Sequence, residues 1–155
     1  MNKFNKSFTL AELLITVAVI LIIAGLVVPR LDFGFKKQKL EADASKLASN
    51  ITLARQYALG QKDKHSSYGL YFYNGGYRVA PYDNVGGGWL APAVVPSSVN
   101  PDGDIEFEEG ITVSDPQDIV FDFRGALSEE VSVTVENNSA TKTITVSPLG
   151  RVTVD

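Results

Sequence analysis

A long apolar run near the start of the chain limits what this sequence can fold into more than any other feature. No charged residue lies between Leu13 and Val28, and the run counted from Phe8 is 21 residues long. A helix of about 20 apolar residues spans the hydrocarbon core of a bilayer, and a backbone in lipid must satisfy its own hydrogen bonds. The run therefore predicts one membrane-spanning helix over residues 8–29.

Glu12 is the anomaly in this run. A carboxylate costs about 2.5–3.5 kcal/mol at the centre of a membrane span, so an acidic residue there is a functional candidate by default. It needs a cationic partner, and the apolar run contains none.

Three interpretations of the segment are open from the residues alone. In a secretory signal peptide, Lys3 and Lys6 form the basic region and Ala24-Gly25 the cleavage site, although Glu12 then interrupts the apolar core. In a plain one-pass anchor, Glu12 lies at the membrane interface. In the third interpretation a seven-residue leader is removed before Phe8. The new α-amino group, or that of a neighbouring subunit, then pairs with Glu12.

Phe8-Thr9-Leu10-Ala11-Glu12 and its apolar tail resemble the class III signal of type IV pilins and type II secretion pseudopilins. The resemblance implies that prepilin peptidase cuts between Ser7 and Phe8, that Phe8 is N-methylated, and that Glu12 guides assembly. Ser7 stands where the family usually has glycine, which bears on the efficiency of cleavage. Pro29 stands where family members often carry a helix-kinking proline.

Composition narrows the function classes for the rest of the chain. Residues 31–155 carry 17 acidic and 11 basic side chains, which argues against nucleic acid as a partner. There is no cysteine, so disulfides and thiolate metal sites are excluded. His65 is the only histidine, and no nucleophile–base set or nucleotide loop is present, so neither enzyme activity nor a cofactor is expected. Asp102-Gly103-Asp104 offers oxygen ligands without EF-hand spacing and predicts a solvated acidic surface rather than a calcium site.

The helical pattern continues over residues 30–60, with Pro29 and Gly34 expected to kink or loosen it. Gly60 is the expected end of the helix. Apolar residues recur every three or four positions and predict a buried stripe: Leu40, Ala44, Leu47, Ile51, Ala54 and Ala58.

The pattern changes to a period of two after residue 67, which indicates strands. Asn74-Gly75 suits the turn of a hairpin between residues 68–73 and 76–80. Residues 81–104 are predicted to be a long loop with little strand character, in which Trp89 either makes an external contact or packs back on the core. Further strands are predicted over residues 105–107, 111–113, 119–123, 131–135, 143–146 and 151–154. One helix followed by consecutive strands predicts an antiparallel α+β domain.

Several short motifs extend the resemblance along the chain. Leu53-Ala54-Arg55, Tyr68-Gly-Leu-Tyr-Phe with Gly76-Tyr77, Phe121-Asp-Phe-Arg-Gly125 and Ile144-Thr-Val-Ser-Pro-Leu-Gly150 occur in an order similar to that of the GspH/FimT class of minor pseudopilins and pilins. This similarity implies a pilin-like fold, in which a long N-terminal helix packs on two small antiparallel sheets.

The expected organisation is a leader (1–7), a transmembrane assembly helix (8–29), an amphipathic continuation (30–60) and a β domain (61–155). The resemblance implies a minor pseudopilin of a type II secretion system, anchored by one span in the inner membrane with its domain on the periplasmic or extracellular side. Its expected partners are other pseudopilins or pilins, prepilin peptidase, the inner-membrane assembly platform, and lipid before assembly. A minor type IV pilin and a membrane-tethered binding domain that never assembles are the alternatives.

Overall fold

The computed structural model describes residues 9–60, 66–90 and 103–155, with the backbone only for residues 26–33 and 66. The chain divides into two compact units, residues 1–36 and 37–155. A single helix, α1 (Leu10–Gly60), contributes to both units. Ser7 and Phe8, the predicted cleavage residues, lie outside the described residues.

The first unit contains the N-terminal part of α1. The helix is assigned without interruption through Pro29 and Gly34, so neither residue ends it, and the kink at Pro29 stays a prediction. Among the described residues, no helix is both long enough and apolar enough to cross a membrane. Phe8 and the side chains of residues 26–29, which belong to the predicted span, lie outside the description.

The second unit is built on the C-terminal part of α1. All six residues of the predicted apolar stripe, from Leu40 to Ala58, are buried, with at most 1% of their surface exposed. α1 is described as far as Gly60, and residues 61–65, which follow the predicted end of the helix, lie outside the described residues. The period of 3.6 therefore identified the packed face of this helix correctly.

The described part of the chain contains nine strands. Those of the first half are the hairpin strands β1 (Ser66–Tyr73) and β2 (Gly76–Asp83), the short β3 (Gly88–Trp89) and β4 (Asp104–Glu106). Those that follow are β5 (Thr112–Ser114), β6 (Ile119–Phe121), β7 (Val131–Asn137), β8 (Ala140–Val146) and β9 (Val152–Val154).

These strands form two antiparallel sheets. The first has the order β3-β2-β1-β6, and β4 also pairs with β2. The second has the order β5-β7-β8-β9. The inward side chains of both sheets and the helical stripe form one buried cluster, which includes Leu70, Tyr77, Phe121, Val133 and Ile144. The prediction of an α+β fold with a long helix packed on antiparallel sheets is confirmed.

The prediction for residues 81–104 was wrong in part, because β2 continues through Pro81 and β3 follows it. Proline is tolerated in a strand where its missing N–H faces an edge. The N and O of one strand residue point to the same side, and the Pro81 carbonyl accepts a hydrogen bond from Leu90 N (2.9 Å), just beyond the two-residue β3. The position of the absent N–H of Pro81 therefore faces the side of β2 that pairs only with the short strands β3 and β4. The strand predicted over residues 119–123 also ends early, at Phe121, because Asp122 begins a tight turn.

Candidate assembly site

The N-terminal end of α1 is held by a reciprocal pair of hydrogen bonds between Thr9 and Glu12. Glu12 N donates to Thr9 Oγ1 at 3.2 Å, and Thr9 N donates to Glu12 Oε2 at 3.5 Å. This is the capping-box arrangement, which satisfies two backbone donors at the start of a helix. It also places a carboxylate in the first turn, where the helix dipole favours negative charge.

The capping box gives the Glu12 carboxylate a hydrogen-bond partner within its own helix. Among the described residues, the Glu12 carboxylate accepts a hydrogen bond from the backbone N–H of Thr9. The Thr9-x-x-Glu12 spacing is the sequence signature of this capping box. The side chain of Glu12 is exposed, so it remains accessible to a partner from another chain.

Over residues 13–23 the surface of α1 is aliphatic on every side, and Thr16 is the one residue there with a polar side chain. Its ten large aliphatic residues between Leu10 and Ile23 keep 46–79% of their surface exposed. The hydroxyl of Thr16 donates to the carbonyl of Leu13 at 2.8 Å, so it is satisfied inside the helix. A helix that is apolar all round is stable only when lipid or protein covers it. This segment therefore requires a hydrophobic environment that the described chain does not supply.

In the second unit, three motifs that are distant in sequence meet at Arg55. Its Nε donates to the carbonyl oxygen of Gly125 at 3.0 Å, and its Nη2 donates to that of Leu149 at 2.9 Å. The two turns are also joined to each other, because Leu127 N donates to Pro148 O at 2.9 Å. Through these hydrogen bonds, Arg55 joins α1 to two turns, the one between β6 and β7 and the one after β8.

Glycine is required at both turns. Gly125 and Gly150 have φ values of 71° and 76°, in the left-handed region. A Cβ added to Gly150 would overlap the guanidinium of Arg55 and the carbonyl oxygen of Gly125. The Phe-Asp-Phe-Arg-Gly and Pro-Leu-Gly motifs therefore have a structural explanation, which is close packing around the arginine.

Asp122 organises the first of these turns. Its Oδ1 accepts hydrogen bonds from Arg124 N and Ala126 N, both at 2.9 Å, and its Oδ2 accepts one from Arg124 Nε at 3.1 Å. Burial by itself would raise the pKa of the Asp122 carboxyl, but these donors outweigh it and hold the pKa below its usual value. The carboxylate is thus ionised in the folded turn at neutral pH.

Trp89 packs back on the domain instead of projecting from it. Its ring contacts Tyr71 and Tyr82, with centroid distances of 5.9 Å and 5.2 Å, and its Nε1 donates to Asp118 Oδ2 at 3.0 Å. The other oxygen of Asp118 accepts from Phe72 N at 3.1 Å. The second of the two roles considered for Trp89 is therefore the one observed.

The predicted acidic surface is partly paired. Asp104 accepts a hydrogen bond from Arg78 Nε at 2.7 Å, and Glu108 lies 3.3 Å from Lys39 Nζ. Within residues 9–60, 66–90 and 103–155, no three His, Cys, Asp or Glu side chains are grouped to hold a metal ion. Asp102 lies outside these ranges.

Comparison with known proteins places this geometry in context. Residues 2–28 match the family model of the prokaryotic N-terminal methylation motif. The fold is similar to the crystal structure of the type IV minor pilin FimU from Pseudomonas aeruginosa, with a TM-score of 0.53 and 15% sequence identity, over 77% of this chain and 90% of that one. The chain therefore has a pilin-like fold and carries a match to the N-terminal methylation motif. No curated protein sequence matches it.

The match to the methylation motif includes Glu12 and most of the apolar part of α1. The motifs similar to the GspH/FimT class lie in the second unit, where the motifs of the helix and the two turns meet at Arg55. Cleavage at Ser7–Phe8, methylation of Phe8 and the kink at Pro29 remain predictions.

Proposed function

We propose that this pilin-like protein is a minor pseudopilin, a structural subunit of a type II secretion system with no enzymatic activity. After prepilin peptidase cuts between Ser7 and Phe8, the apolar part of α1 would move from the inner membrane into a short filament. The observation that supports the proposal best is the all-round aliphatic surface of residues 10–23, which follows a single carboxylate. Neighbouring subunits would bury that surface, and the amine of Phe8 would neutralise Glu12.

The energetic argument concerns the transfer of the helix out of lipid. Burying apolar surface contributes about 25 cal/mol per Å², so a helix leaves the bilayer only if other helices cover it. Glu12 would otherwise be a buried unpaired charge, which is strongly unfavourable. An amine from a neighbouring subunit removes that penalty only in the assembled state, which favours assembly over isolation.

Two measurements test the proposal. In cells with prepilin peptidase, the mature protein should have lost residues 1–7 and gained one methyl group on Phe8, as read by mass spectrometry. The Glu12→Gln variant should be cleaved but absent from sheared filaments, while Glu41→Gln, a change of an exposed glutamate outside the methylation motif, should be incorporated normally. An uncut protein that stays out of filaments would favour the membrane-tethered binding domain, and normal incorporation of E12Q would contradict the role of Glu12 in assembly.

A minor type IV pilin is the second candidate, favoured by the fold similarity to FimU. Deleting the gene separates the two. Loss of secreted proteins from the medium with normal surface pili supports the secretion role. Loss of pili with normal secretion supports the pilus role. The acidic balance of residues 31–155 disfavours a version of the pilus role in which this subunit binds DNA.

A further inference from the structure

An apolar groove of about 490 Å³ lies in the second unit between the β1–β2 turn and β5. The side chains of Phe72, Phe107, Ile111 and Val113 line it. Phe107 and Val113 are only half-buried, so apolar surface is accessible inside the groove. The volume is in the range of pockets that enclose a ligand. The groove is therefore large enough to receive one aromatic or large aliphatic side chain of a partner.

Hydrogen bonds within the chain already hold the groove in shape. Phe107 N donates to the carbonyl oxygen of Gly75 at 3.0 Å, which ties the loop after β4 to the β1–β2 turn. Glu108 N donates to Oδ2 of the buried Asp43 at 2.7 Å, which ties the same loop to α1. A preformed site loses little conformational freedom when a partner binds.

β5 leaves a backbone edge open beside the groove. Among the described residues β5 pairs with β7 alone, so it is an edge strand of its sheet. At the end of β5, Asp115 has a φ of 49°, a conformation that is uncommon for a residue other than glycine, and the next residue, Pro116, lines the groove. An edge strand presents N–H and C=O groups to which an extended polypeptide can add as a further strand. A polypeptide therefore suits both the groove and the edge, whereas a lipid chain would fill the groove alone.

Three exposed carboxylates form an acidic rim around the groove. These are Glu106, Glu109 and Asp115, each within two residues of a lining residue. Over residues 102–136 the sequence has eleven acidic side chains and one basic side chain, Arg124. Complementary charge selects partners and suppresses those with like charge. The groove therefore suits an apolar side chain with lysine or arginine beside it.

We propose that the groove and the edge of β5 bind an extended segment of a different protein. That segment inserts an aromatic or large aliphatic side chain into the groove and places lysine or arginine against the acidic rim. The inference rests on the proposed role as a minor subunit. A minor subunit is outnumbered in its filament by subunits of other kinds, so its exposed surfaces face proteins of other sequence. The partner is accordingly another component of the assembly and not a second copy of this chain.

Photo-crosslinking in intact cells tests the proposal. The photoreactive residue p-benzoylphenylalanine replaces Thr112 or, in a separate variant, Asn74. Both residues are exposed, and they line the groove from β5 and from the β1–β2 turn respectively. Irradiation of cells that assemble filaments joins the photoreactive residue to the molecule in the groove, and mass spectrometry of the digested product identifies the captured segment. Leu149, which is 80% exposed in the turn after β8, is replaced in the control variant.

The expected result is that the Thr112 and Asn74 variants capture the same segment of one other protein. The segment should contain an aromatic or large aliphatic residue with lysine or arginine close to it in sequence. The residues captured from the two positions should lie within about four positions of each other, because an extended chain rises about 3.3 Å per residue. The Leu149 variant should not capture this segment.

Several outcomes would overturn the proposal. Capture of a second copy of this chain, of lipid, or of a segment without basic residues would assign the groove to another occupant. Capture of the same segment with equal yield from the Leu149 variant would show that the groove does not select it. The absence of any product from both groove variants would show that no partner occupies the groove.

Charge reversal supplies an independent measurement. Glu109→Lys should lower the yield of the crosslink from the Thr112 variant by about two- to fivefold, as expected for one exposed ion pair. Glu129→Lys makes the same change of net charge at an exposed glutamate that is not next to a lining residue, and it should leave the yield unchanged. Glutamate in place of the captured segment's basic residue should restore the yield in the Glu109→Lys variant. Equal losses from the two reversals, or no restoration, would overturn the role of the acidic rim.

Incorporation into sheared filaments separates this inference from the proposed function. If the groove variants enter filaments but capture no segment of another protein, the docking site is wrong and the assembly role stands. If neither the variants nor the parent chain enters filaments, the assembly role fails, and the inference fails with it.

Discussion

Arg55 and Leu149 are 94 residues apart in sequence, yet Nη2 of the arginine lies 2.9 Å from the carbonyl oxygen of the leucine. Its Nε makes the second bond, to Gly125. The guanidinium is planar and always charged, so it can bridge two carbonyls in a fixed geometry. This contact connects the helix to the turns that follow β6 and β8.

Replacing Arg55 by alanine should destabilise the second unit by about 2 kcal/mol, since hydrogen bonds to a charged group contribute about 1.5–3 kcal/mol. Lysine keeps the charge but lacks the planar fork, so R55K should lie between alanine and the parent. Urea unfolding of the detergent-solubilised chain, followed by the fluorescence of its single tryptophan, measures both.

Arg151→Ala is the matched control for Arg55, because the Arg151 side chain is exposed and makes no hydrogen bond within the described residues. Its effect should stay within about 0.5 kcal/mol, as for most surface substitutions. Equal losses of stability in R55A and R151A would contradict the role of Arg55 in joining the helix to the two turns.

Gly150→Ala should cost more than a strained backbone alone. A non-glycine residue in the left-handed region costs about 1–2 kcal/mol, and here the new Cβ would also overlap Arg55 and the carbonyl of Gly125. Gly87 has a similar φ of 68° with no atom within 4 Å of an added Cβ. G150A should therefore unfold at lower urea than G87A. Equal urea midpoints for G150A and G87A would mean that the turn at Gly150 shifts to relieve the overlap without loss of stability.

The stability of the fold should depend on pH through Asp122. Its pKa is lowered in the folded state, so its ionised form stabilises the fold above the unfolded pKa of about 3.9, and the contribution is lost as pH falls through the lower folded value. The free energy difference between the parent and D122N should be largest near neutral pH and shrink below about pH 4. E129Q, at an exposed glutamate, should leave the pH profile parallel to that of the parent. A D122N profile that is also parallel would contradict this assignment.

Asp118→Ala should free Trp89 from its packed position. The carboxylate bridges Trp89 Nε1 and Phe72 N, and removing one acceptor from a buried or half-buried donor costs about 1–3 kcal/mol. The tryptophan emission should shift to longer wavelength in the folded protein as the ring becomes wetter. Glu130→Ala, at an exposed glutamate, should leave the emission unchanged. An unshifted spectrum in D118A would show that Tyr71 and Tyr82 hold the ring without the hydrogen bond.

The sequence by itself determined the features that repeat locally. The stripe from Leu40 to Ala58 followed from the helical period, and the strands of the C-terminal third followed from alternation, because one face of each element must be buried. The apolar N-terminal run and its single carboxylate, Glu12, were also recognised from the sequence alone. The Thr9–Glu12 capping box was present as a spacing and was overlooked.

Only the tertiary structure decided which distant residues meet. Nothing in the local pattern showed that Arg55 would join the turns at Gly125 and Leu149, or that Asp118 would bridge β1 and Trp89. The sequence predicted that Pro81 would interrupt a strand. It fits within β2 because the strand paired on that side, β3, is only two residues long. Periodicity records which face of a segment avoids water. Pairing between faces depends on the packing of the whole chain, and that information is not contained in any single segment.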